Sequence, residues 1–344
     1  MSVLHVLAAI AGLGVLMIIH ESGHYLAARA FGMRVIKFSL GMAPILWRFQ
    51  PKGSPTTFQI GAIPFFAYVQ IAGMNPLEET DPDDKGSYAN ASLIGRVVTI
   101  LSGSLANYLV ASVFFFASIL ISGEPRPTTA VTVIANQPAA QAGMLDNDRV
   151  VTVQGNPVTS WDEFRAAVSK RPSQPTEVVV DRKGEKVTLT VTPAPTGENG
   201  AGLIGARTVF ETIPVPVEKA AKLAVKMPPL VVYELVSNLA KVVTGKQKAE
   251  LGGPAAIVKE GAKAVKNGVG DLFQFLGLLS ANLAGFNLLP IPALDGGRLI
   301  FLGYEALSRR RPDAMVEAHI HLVGFVMLLA LMVFVTWNDL FGHR

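Results

Sequence analysis

The chain contains no cysteine among its 344 residues. Disulfide bonds are therefore excluded, and no metal can be held by thiolate ligands, so any metal site must use histidine and carboxylate groups. Charge is also scarce. Only 16% of the residues are charged while 50% are hydrophobic, and the mean hydropathy is +0.39, which lies outside the range typical of soluble globular domains.

The positive net charge does not indicate a nucleic-acid-binding protein. The formal net charge is +4, but the basic residues form no dense patch with interleaved aromatic side chains, which single-strand binding requires. Their distribution fits membrane orientation better. They follow the first long apolar stretch and lie between the last two: Arg29, Arg34, Lys37, Arg48 and Lys52, then Arg298, Arg309, Arg310 and Arg311.

Long apolar stretches predict a membrane protein. A helix of roughly 20 residues spans about 30 Å of hydrocarbon. The first stretch lacks the basic region and the short apolar core of a cleaved signal peptide, so we expect it to be retained. Four stretches are long and apolar enough to span: Val3 to Ala28, Val97 to Ser122, Leu272 to Leu289 and Ile320 to Trp337.

The predicted spans and the basic residues together give an orientation. An even number of spans places both termini on one side of the membrane. By the positive-inside rule the two basic connections are cytoplasmic, so the long segment 123–270 is expected outside the cytoplasm. We therefore expect a multi-pass membrane protein, with the lipid bilayer as a partner and no nucleic acid.

Residues 33–73 carry strand-like signals after the first span. The stretch 56–60 alternates with the period of a strand. The next stretch, 61–73, is apolar but too interrupted for a helix, and it predicts a β-hairpin or a re-entrant loop. Such backbone is tolerated at membrane depth only where it is buried in protein or lines a wet cavity, which indicates a cavity there.

The segment from about Thr128 to Pro195 has the composition and the alternating pattern of a soluble domain. We expect strands at 130–134, 149–154, 176–181 and 186–192, and a helix at 160–169. The run from Gln137 to Gly155, followed by Trp161-Asp-Glu-Phe164, resembles a bacterial PDZ domain. That family usually has Pro-Gly where this chain has Asp146-Asn147, and asparagine tolerates the left-handed turn conformation. An unrelated small α+β domain is the alternative.

Beyond that domain, residues 215–245 show apolar positions at helical spacing beside several lysines. The pattern predicts amphipathic helices on the outer membrane surface, with a break at Pro228-Pro229.

The motif His20-Glu-Ser-Gly-His24 lies at the end of the first span. On a helix, two histidines four residues apart project from one face and can share a metal, while Glu21 lies beside them and can act on a metal-bound water. A carboxylate inside an apolar span costs roughly 2.5 to 3.5 kcal/mol, which indicates a functional reason for Glu21. Placement of the cluster at the membrane interface is the alternative.

Catalytic zinc sites normally use three protein ligands. The best third candidate is Asp295, in the run from Asn287 to Arg298, where two prolines interrupt the end of the third span. From the residues alone, Asp295 is equally a candidate for a helix N-cap.

Taken together, these motifs resemble the site-2 protease family over nearly the whole chain. The resemblance is closest to the bacterial branch of the sigma-E regulator type, here with one PDZ domain, and it implies a location in the bacterial inner (cytoplasmic) membrane. It implies that zinc is held by His20, His24 and Asp295, that Glu21 is the general base and that Asn287 binds the substrate backbone. Phe65-Phe66-Ala67 stands where the family commonly has a glycine-rich pattern. The resemblance therefore does not indicate in detail how a substrate enters.

The expected fold is a multi-span α-helical membrane protein with four transmembrane helices, a membrane-associated β-hairpin element and an inserted extracytoplasmic PDZ domain of α+β class. The segments in order are a first transmembrane helix (1–30), the β-element with a cytoplasmic loop (31–96), a second helix (97–122), the PDZ domain (127–195), amphipathic helices and linker (196–270), a third transmembrane segment (271–297), a cytoplasmic basic loop (298–319) and a fourth helix (320–338).

The expected function is intramembrane zinc metalloproteolysis. The resemblance implies hydrolysis of peptide bonds in the transmembrane segments of single-pass proteins, such as anti-sigma factors or remnant signal peptides, after a prior extracytoplasmic cut. The PDZ domain either binds a newly exposed C-terminus or excludes untrimmed substrates. A membrane zinc transporter and a non-catalytic membrane scaffold are the alternatives; transport usually leaves inverted repeats, which the sequence does not show.

Overall fold

A computed structural model describes residues 2–196, 200–246 and 253–341, without the side chains of 64–66, 243 and 340. The chain divides into two compact units, Met1–Ile121 with Pro216–Arg344, and Ser122–Val215. The first unit contains α1 (Val3–Ala30), β1 (Val35–Phe49), β2 (Thr57–Ile71), α2 (Leu93–Ser122), α5 (Val217–Val243), α6 (Pro254–Asn267), α7 (Val269–Asn287), α8 (Asp295–Ser308) and α9 (Ala314–Phe341). The second contains β3 (Glu124–Val133), α3 (Pro138–Gln141), β4 (Arg149–Val153), β5 (Asn156–Pro157), α4 (Trp161–Ser169), β6 (Thr176–Arg182), β7 (Glu185–Val191), β8 (Ala194–Thr196), β9 (Ala201–Leu203) and β10 (Ala206–Ile213).

Within the described residues, four helices are long and apolar enough to cross a membrane. They are α1, α2, α7 and the part of α9 from Ala314 to Asp339. Each contains one of the predicted spans or most of it, so the prediction of a multi-span helical protein is confirmed.

Strands β1 and β2 form a folded antiparallel ribbon in the first unit. Phe38 lies opposite both Phe58 and Val69, and Phe49 also lies opposite Phe58. The ribbon therefore doubles back, and the segment around Phe58 runs between two segments of β1. This confirms the predicted β-element, and strand pairing extends through the apolar stretch for which a hairpin or a loop was expected.

The ribbon packs beside the end of the first span. A shared apolar cluster joins α1, β1, β2, the loop before α2, α2 and α8. Because this packing fixes β2 against α1, it places the backbone of β2 beside the last turns of α1, around Tyr25 and Ala28. The buried members of the cluster are Ala28, Met33, Val35, Ile71, Tyr88, Ile100 and Leu302.

Helix α5 differs from the prediction. It is continuous from Val217 to Val243, with Pro228 and Pro229 inside it. The predicted break is therefore wrong. Ala224 and Val231 share an apolar cluster with residues of α2 and α7, and a helix packed along its length against neighbours tolerates prolines that would end an isolated helix.

The segment predicted as a basic loop, 298–319, is largely helical. Helix α8 begins at Asp295 and ends at Ser308, and α9 begins at Ala314. Arg96 of α2 donates two hydrogen bonds of 2.7 and 2.8 Å to the carboxylate of Glu305 in α8. Those hydrogen bonds hold the pKa of Glu305 below its usual range, although burial opposes them. This ion pair fastens the end of α8 to the start of α2.

The second unit has its own sheet and core. The strand order is β10-β3-β4-β6-β7, with β5 paired to β4, and all of these pairs are antiparallel. The strands and the helix predicted between 130 and 192 are found at the expected positions. Asn147 has a φ of 69°, as expected for the residue in the turn before β4.

A buried ion pair fixes that turn. Asp148 is 1% exposed and accepts hydrogen bonds from the guanidinium of Arg182 and from the backbone N–H of Leu145. Burial raises the pKa of Asp148, but the hydrogen bonds from Arg182 and Leu145 outweigh burial and hold the pKa below its usual range. Asp148 therefore remains a carboxylate under ordinary conditions.

Candidate metal centre

Three side chains from two distant parts of the sequence converge in the first unit. Nε2 of His20 and Nε2 of His24 lie 3.2 Å apart. Oδ2 of Asp295 lies 3.3 Å from each of them. The three side chains are 12%, 10% and 16% exposed. Among the described residues this is the group of histidine and carboxylate side chains that could hold a metal ion.

The spacing in the helix explains the histidine pair. Since α1 is continuous through both positions, residues four apart lie on the same face. Their rings meet edge to face, with centroids 4.8 Å apart. The two Nε2 atoms therefore point toward a common position.

Helix α2 fixes the tautomer of His24. Nδ1 of His24 lies 2.8 Å from the backbone oxygen of Thr99. Because a carbonyl oxygen only accepts, Nδ1 must carry a proton, and Nε2 is then the nitrogen through which a neutral His24 could bind a metal ion. Such a hydrogen bond from the second ring nitrogen is the usual support of a metal-binding histidine.

Close packing of α1 on α2 requires glycine at two positions. A Cβ at Gly23 would overlap the backbone oxygen of Ser102, and a Cβ at Gly103 would overlap the ring of His24. The absence of side chains at these positions allows the helices to approach until His24 reaches Thr99. Gly23 and His24 can therefore pack against α2 because Gly103 has no side chain where the His24 ring lies.

The loop between α7 and α8 delivers Asp295. Asp295 is the first residue of α8, preceded by Leu294 as the N-cap residue, and the cap shows no side-chain hydrogen bond. The N-cap alternative for Asp295 is thereby excluded, and its side chain faces the histidines instead. Gly296 and Gly297 permit the first turn of α8 to pack on the backbone carbonyls of Leu289 and Ile291, where a Cβ would overlap.

His321 of α9 supports the same loop. The backbone N–H of Ala293 donates a 2.9 Å hydrogen bond to Nδ1 of His321. Ala293 has a φ of 73°, a conformation that is uncommon for residues other than glycine. His321 therefore holds the backbone two residues before Asp295.

Glu21 lies beside the cluster. Its carboxylate is within electrostatic reach of His20, His24 and Asp295, and the backbone N–H of Val69 in β2 faces it. The β-ribbon thus reaches the metal-ligand group through the backbone of β2. A carboxylate next to three converging ligand atoms can accept or donate a proton there.

Among the described residues, the other histidines are not part of this group. Asn287 is the last residue of α7 and is half-buried, eight residues before Asp295. His319 contacts the backbone oxygen of Met315 within its own helix, and His5 belongs to the first turns of α1. His343 lies outside the described residues.

The geometry of the three ligand atoms fits a tetrahedral metal ion. Atoms about 2.1 Å from such an ion lie about 3.4 Å from one another, and the separations here are 3.2, 3.3 and 3.3 Å. Oδ2 of Asp295 is buried without a hydrogen-bond partner among the described residues. A buried anionic oxygen that faces two ring nitrogens without a hydrogen bond is the environment that a bound cation would satisfy.

The sequence analysis missed the contribution of α2. Thr99, Gly103 and Asn107 are spaced four residues apart and lie on one face, which contacts both histidines. A signal was present, since a polar amide is costly in an apolar span and is often functional there. Asn107 is completely buried.

Comparison with known proteins agrees with this geometry. The model of the family described as Peptidase family M50 matches residues 8–331. The chain belongs to peptidase family M50. The resemblance to site-2 proteases is therefore confirmed, and with it the prediction that the chain is a metalloprotease.

The relatives align over almost their whole length. A Synechocystis protein is 35% identical over 98% of this chain and 95% of its own, and a Clostridium perfringens protein is 30% identical over 98% of both chains; each carries the name "Putative zinc metalloprotease". Zinc metalloprotease RasP of Geobacillus kaustophilus is 28% identical over 95% of both chains. The M50 chain described here is therefore similar to bacterial proteins throughout both units.

Proposed function

We propose that this M50 chain is an intramembrane protease with one zinc ion held by His20, His24 and Asp295. The observation that carries the proposal is the triangle of 3.2 to 3.3 Å formed by the three ligand atoms, since its edges suit tetrahedral zinc. Names of the relatives that include zinc support the choice of metal.

In the proposed reaction, Glu21 is the general base. His20, His24 and Asp295 would hold a zinc ion, which would supply a Lewis acid for the attacking water and the scissile carbonyl. Glu21 accepts the proton of that water and then donates it to the leaving amine. The peptide bond is hydrolysed without a covalent intermediate on the chain.

The proposed substrate is the transmembrane segment of a single-pass protein. The ligands lie on or next to helices long enough to span a membrane, which supports a site within the bilayer. A transmembrane helix hides its backbone in internal hydrogen bonds and must unwind before hydrolysis. The β2 backbone beside Glu21 could receive the extended substrate as an added strand, and Asn287 would bind its backbone.

We also propose the PDZ identity of the second unit and the orientation of the chain. The order of elements from β3 to β7 supports a PDZ-like domain, and the flanking basic residues support a position outside the cytoplasm. A cysteine introduced at Gln174 is expected to react with an impermeant maleimide in intact cells, and one at Lys52 to stay unlabelled. The reverse pattern would contradict this orientation, although not the proposed location in the inner membrane.

The rival functions, zinc transport and a non-catalytic scaffold, lack a comparable observation. A carboxylate beside the ligand triangle, poised for proton transfer, is needed for hydrolysis and not for scaffolding. Glu21 provides it.

Two substitutions test the proposal. Purified Glu21→Gln is expected to keep one zinc per chain and to lose cleavage of a single-pass substrate in detergent or vesicles, since the amide cannot accept the proton. Asp295→Ala is expected to lose zinc itself, measured by elemental analysis. Cleavage by Glu21→Gln, or full zinc retention by Asp295→Ala, would refute the assigned roles.

A further inference from the structure

His20 and His24 receive different kinds of support from α2. The partner of His24 is a backbone oxygen, which can only accept. The partner of His20 is the side-chain amide of Asn107, whose Nδ2 lies 3.4 Å from Nδ1 of His20. An amide can either donate or accept, so the tautomer of His20 depends on which end of Asn107 faces it.

The amide has a spare acceptor. Asn107 is completely buried, and its Oδ1 has no hydrogen-bond partner among the described residues. Its backbone oxygen accepts a 2.8 Å hydrogen bond from Ser280 of α7, which ties this turn of α2 to a third helix. A half-turn of the amide exchanges Oδ1 and Nδ2 and leaves the backbone in place.

Metal binding selects between the two orientations. Nε2 of His20 can bind a cation as a neutral imidazole only when Nδ1 carries the proton, and that proton needs an acceptor. The Nδ1–H group becomes more polar once Nε2 shares its lone pair with a cation. A hydrogen bond from Nδ1–H to Oδ1 of Asn107 is then more favourable than the contact between Nδ2 and Nδ1 that it replaces.

We infer that Asn107 is a positioning residue of the metal centre, which accepts a hydrogen bond from Nδ1–H of His20 through Oδ1 when the metal is bound. Together with the Thr99 oxygen it sets both histidines in the metal-binding tautomer. The inference rests on the proposed zinc site. It assigns to a side chain of the second span a role that the ligand motif alone does not indicate.

The test compares variants that differ in hydrogen-bonding capacity and keep the same branching and number of side-chain heavy atoms. Asn107→Leu removes both donor and acceptor, whereas Asn107→Asp keeps only acceptors. Ser118→Ala, at another buried polar position of α2, serves as the control. Zinc affinity is measured on each purified chain in detergent by competition with a chelating dye, and thermal unfolding is measured without zinc.

Asn107→Leu is expected to weaken zinc binding about 10- to 100-fold, the usual effect of losing such a support, without lowering the unfolding temperature of the zinc-free chain. Asn107→Asp is expected to bind zinc at least as tightly as the unmodified chain, and Ser118→Ala to match it. Unchanged affinity in Asn107→Leu, or equal weakening in Asn107→Asp, would overturn the inference.

The aspartate variant also separates this role from simple space filling. If Asn107 only filled the space beside His20 and accepted nothing from Nδ1–H, Asn107→Asp would bury a carboxylate without a hydrogen-bond donor and would be the weakest zinc binder. Should Asn107→Leu fail to fold, this comparison still decides. An unmodified chain that binds no zinc would refute the proposed function, whereas a zinc-binding chain with insensitive Asn107 variants would refute the inference alone.

Discussion

At the residue scale, two histidines that are close in the chain meet an aspartate and an asparagine that only packing brings near them. The separation of four residues suffices to place His20 and His24 on one face. Asp295 is far away in sequence, and the sequence alone was equally consistent with a metal ligand and with a helix N-cap residue. The family resemblance favoured the metal ligand. Asn107 was missed because other polar residues share its span, and only packing shows which of them faces α1.

A prediction at this scale concerns Asn287, for which the structure gives a position but no ligand contact. Asn287→Ala is expected to keep one zinc per chain and to lower kcat/KM for a transmembrane substrate roughly 10-fold, as loss of a hydrogen bond to the substrate backbone implies. Asn282→Ala is the matched control, because the side chain of Asn282 donates to Leu278 within α7. Zinc loss in Asn287→Ala would instead make it part of the metal centre.

At the element scale, periodicity and composition located the spans and the strands of both units. Two predictions at this scale were wrong, each for a physical reason. The prolines of α5 end isolated helices, but packing on α2 and α7 compensates here. The basic residues between 298 and 311 suggested a loop, yet Arg298 lies in the first turns of α8, which the two preceding glycines allow to pack closely. In both places, tertiary contacts override local preference.

The contact between α1 and α2 yields a prediction. Gly103→Ala places a methyl group in the position of the His24 ring, so the helices must separate or the ring must move. We expect zinc affinity to fall at least about 10-fold and stability to fall by about 1 to 3 kcal/mol, as for other overpacked cores. Gly14→Ala in α1 has open space and is expected to leave both unchanged, by dye competition and thermal unfolding. Equal behaviour of the two variants would show that the close approach is not needed.

At the scale of the whole molecule, composition alone indicated the membrane, and the distribution of charge indicated an orientation. The boundary of the inserted domain was harder to predict from the sequence. The predicted PDZ range was 127–195, whereas the compact unit runs from Ser122 to Val215. The difference arises because β10 pairs with β3, a contact between the two ends of the unit that local periodicity does not reveal.

The last prediction concerns what that unit does. All residues of the ligand triangle, Glu21 and the supporting face of α2 belong to the other unit, and the apolar core of Ser122–Val215 is formed by its own residues. We therefore propose that Ser122–Val215 selects substrates and leaves the chemical step alone. Replacing the entire unit by a flexible linker avoids leaving β10 without its partner, which removal of 127–195 would do.

The expected outcome is retention of one zinc per chain and of kcat on a short, trimmed substrate. If the unit excludes untrimmed proteins, long substrates are cut faster by the deletion variant than by the full chain. If the unit recruits trimmed ends, the deletion raises KM for short substrates with kcat unchanged. The control is the same deletion in the Glu21→Gln background, which must show no cleavage. A fall in kcat on every substrate, with zinc and fold retained, would show that the unit is coupled to the metal centre, because a selector acts on binding and not on the chemical step.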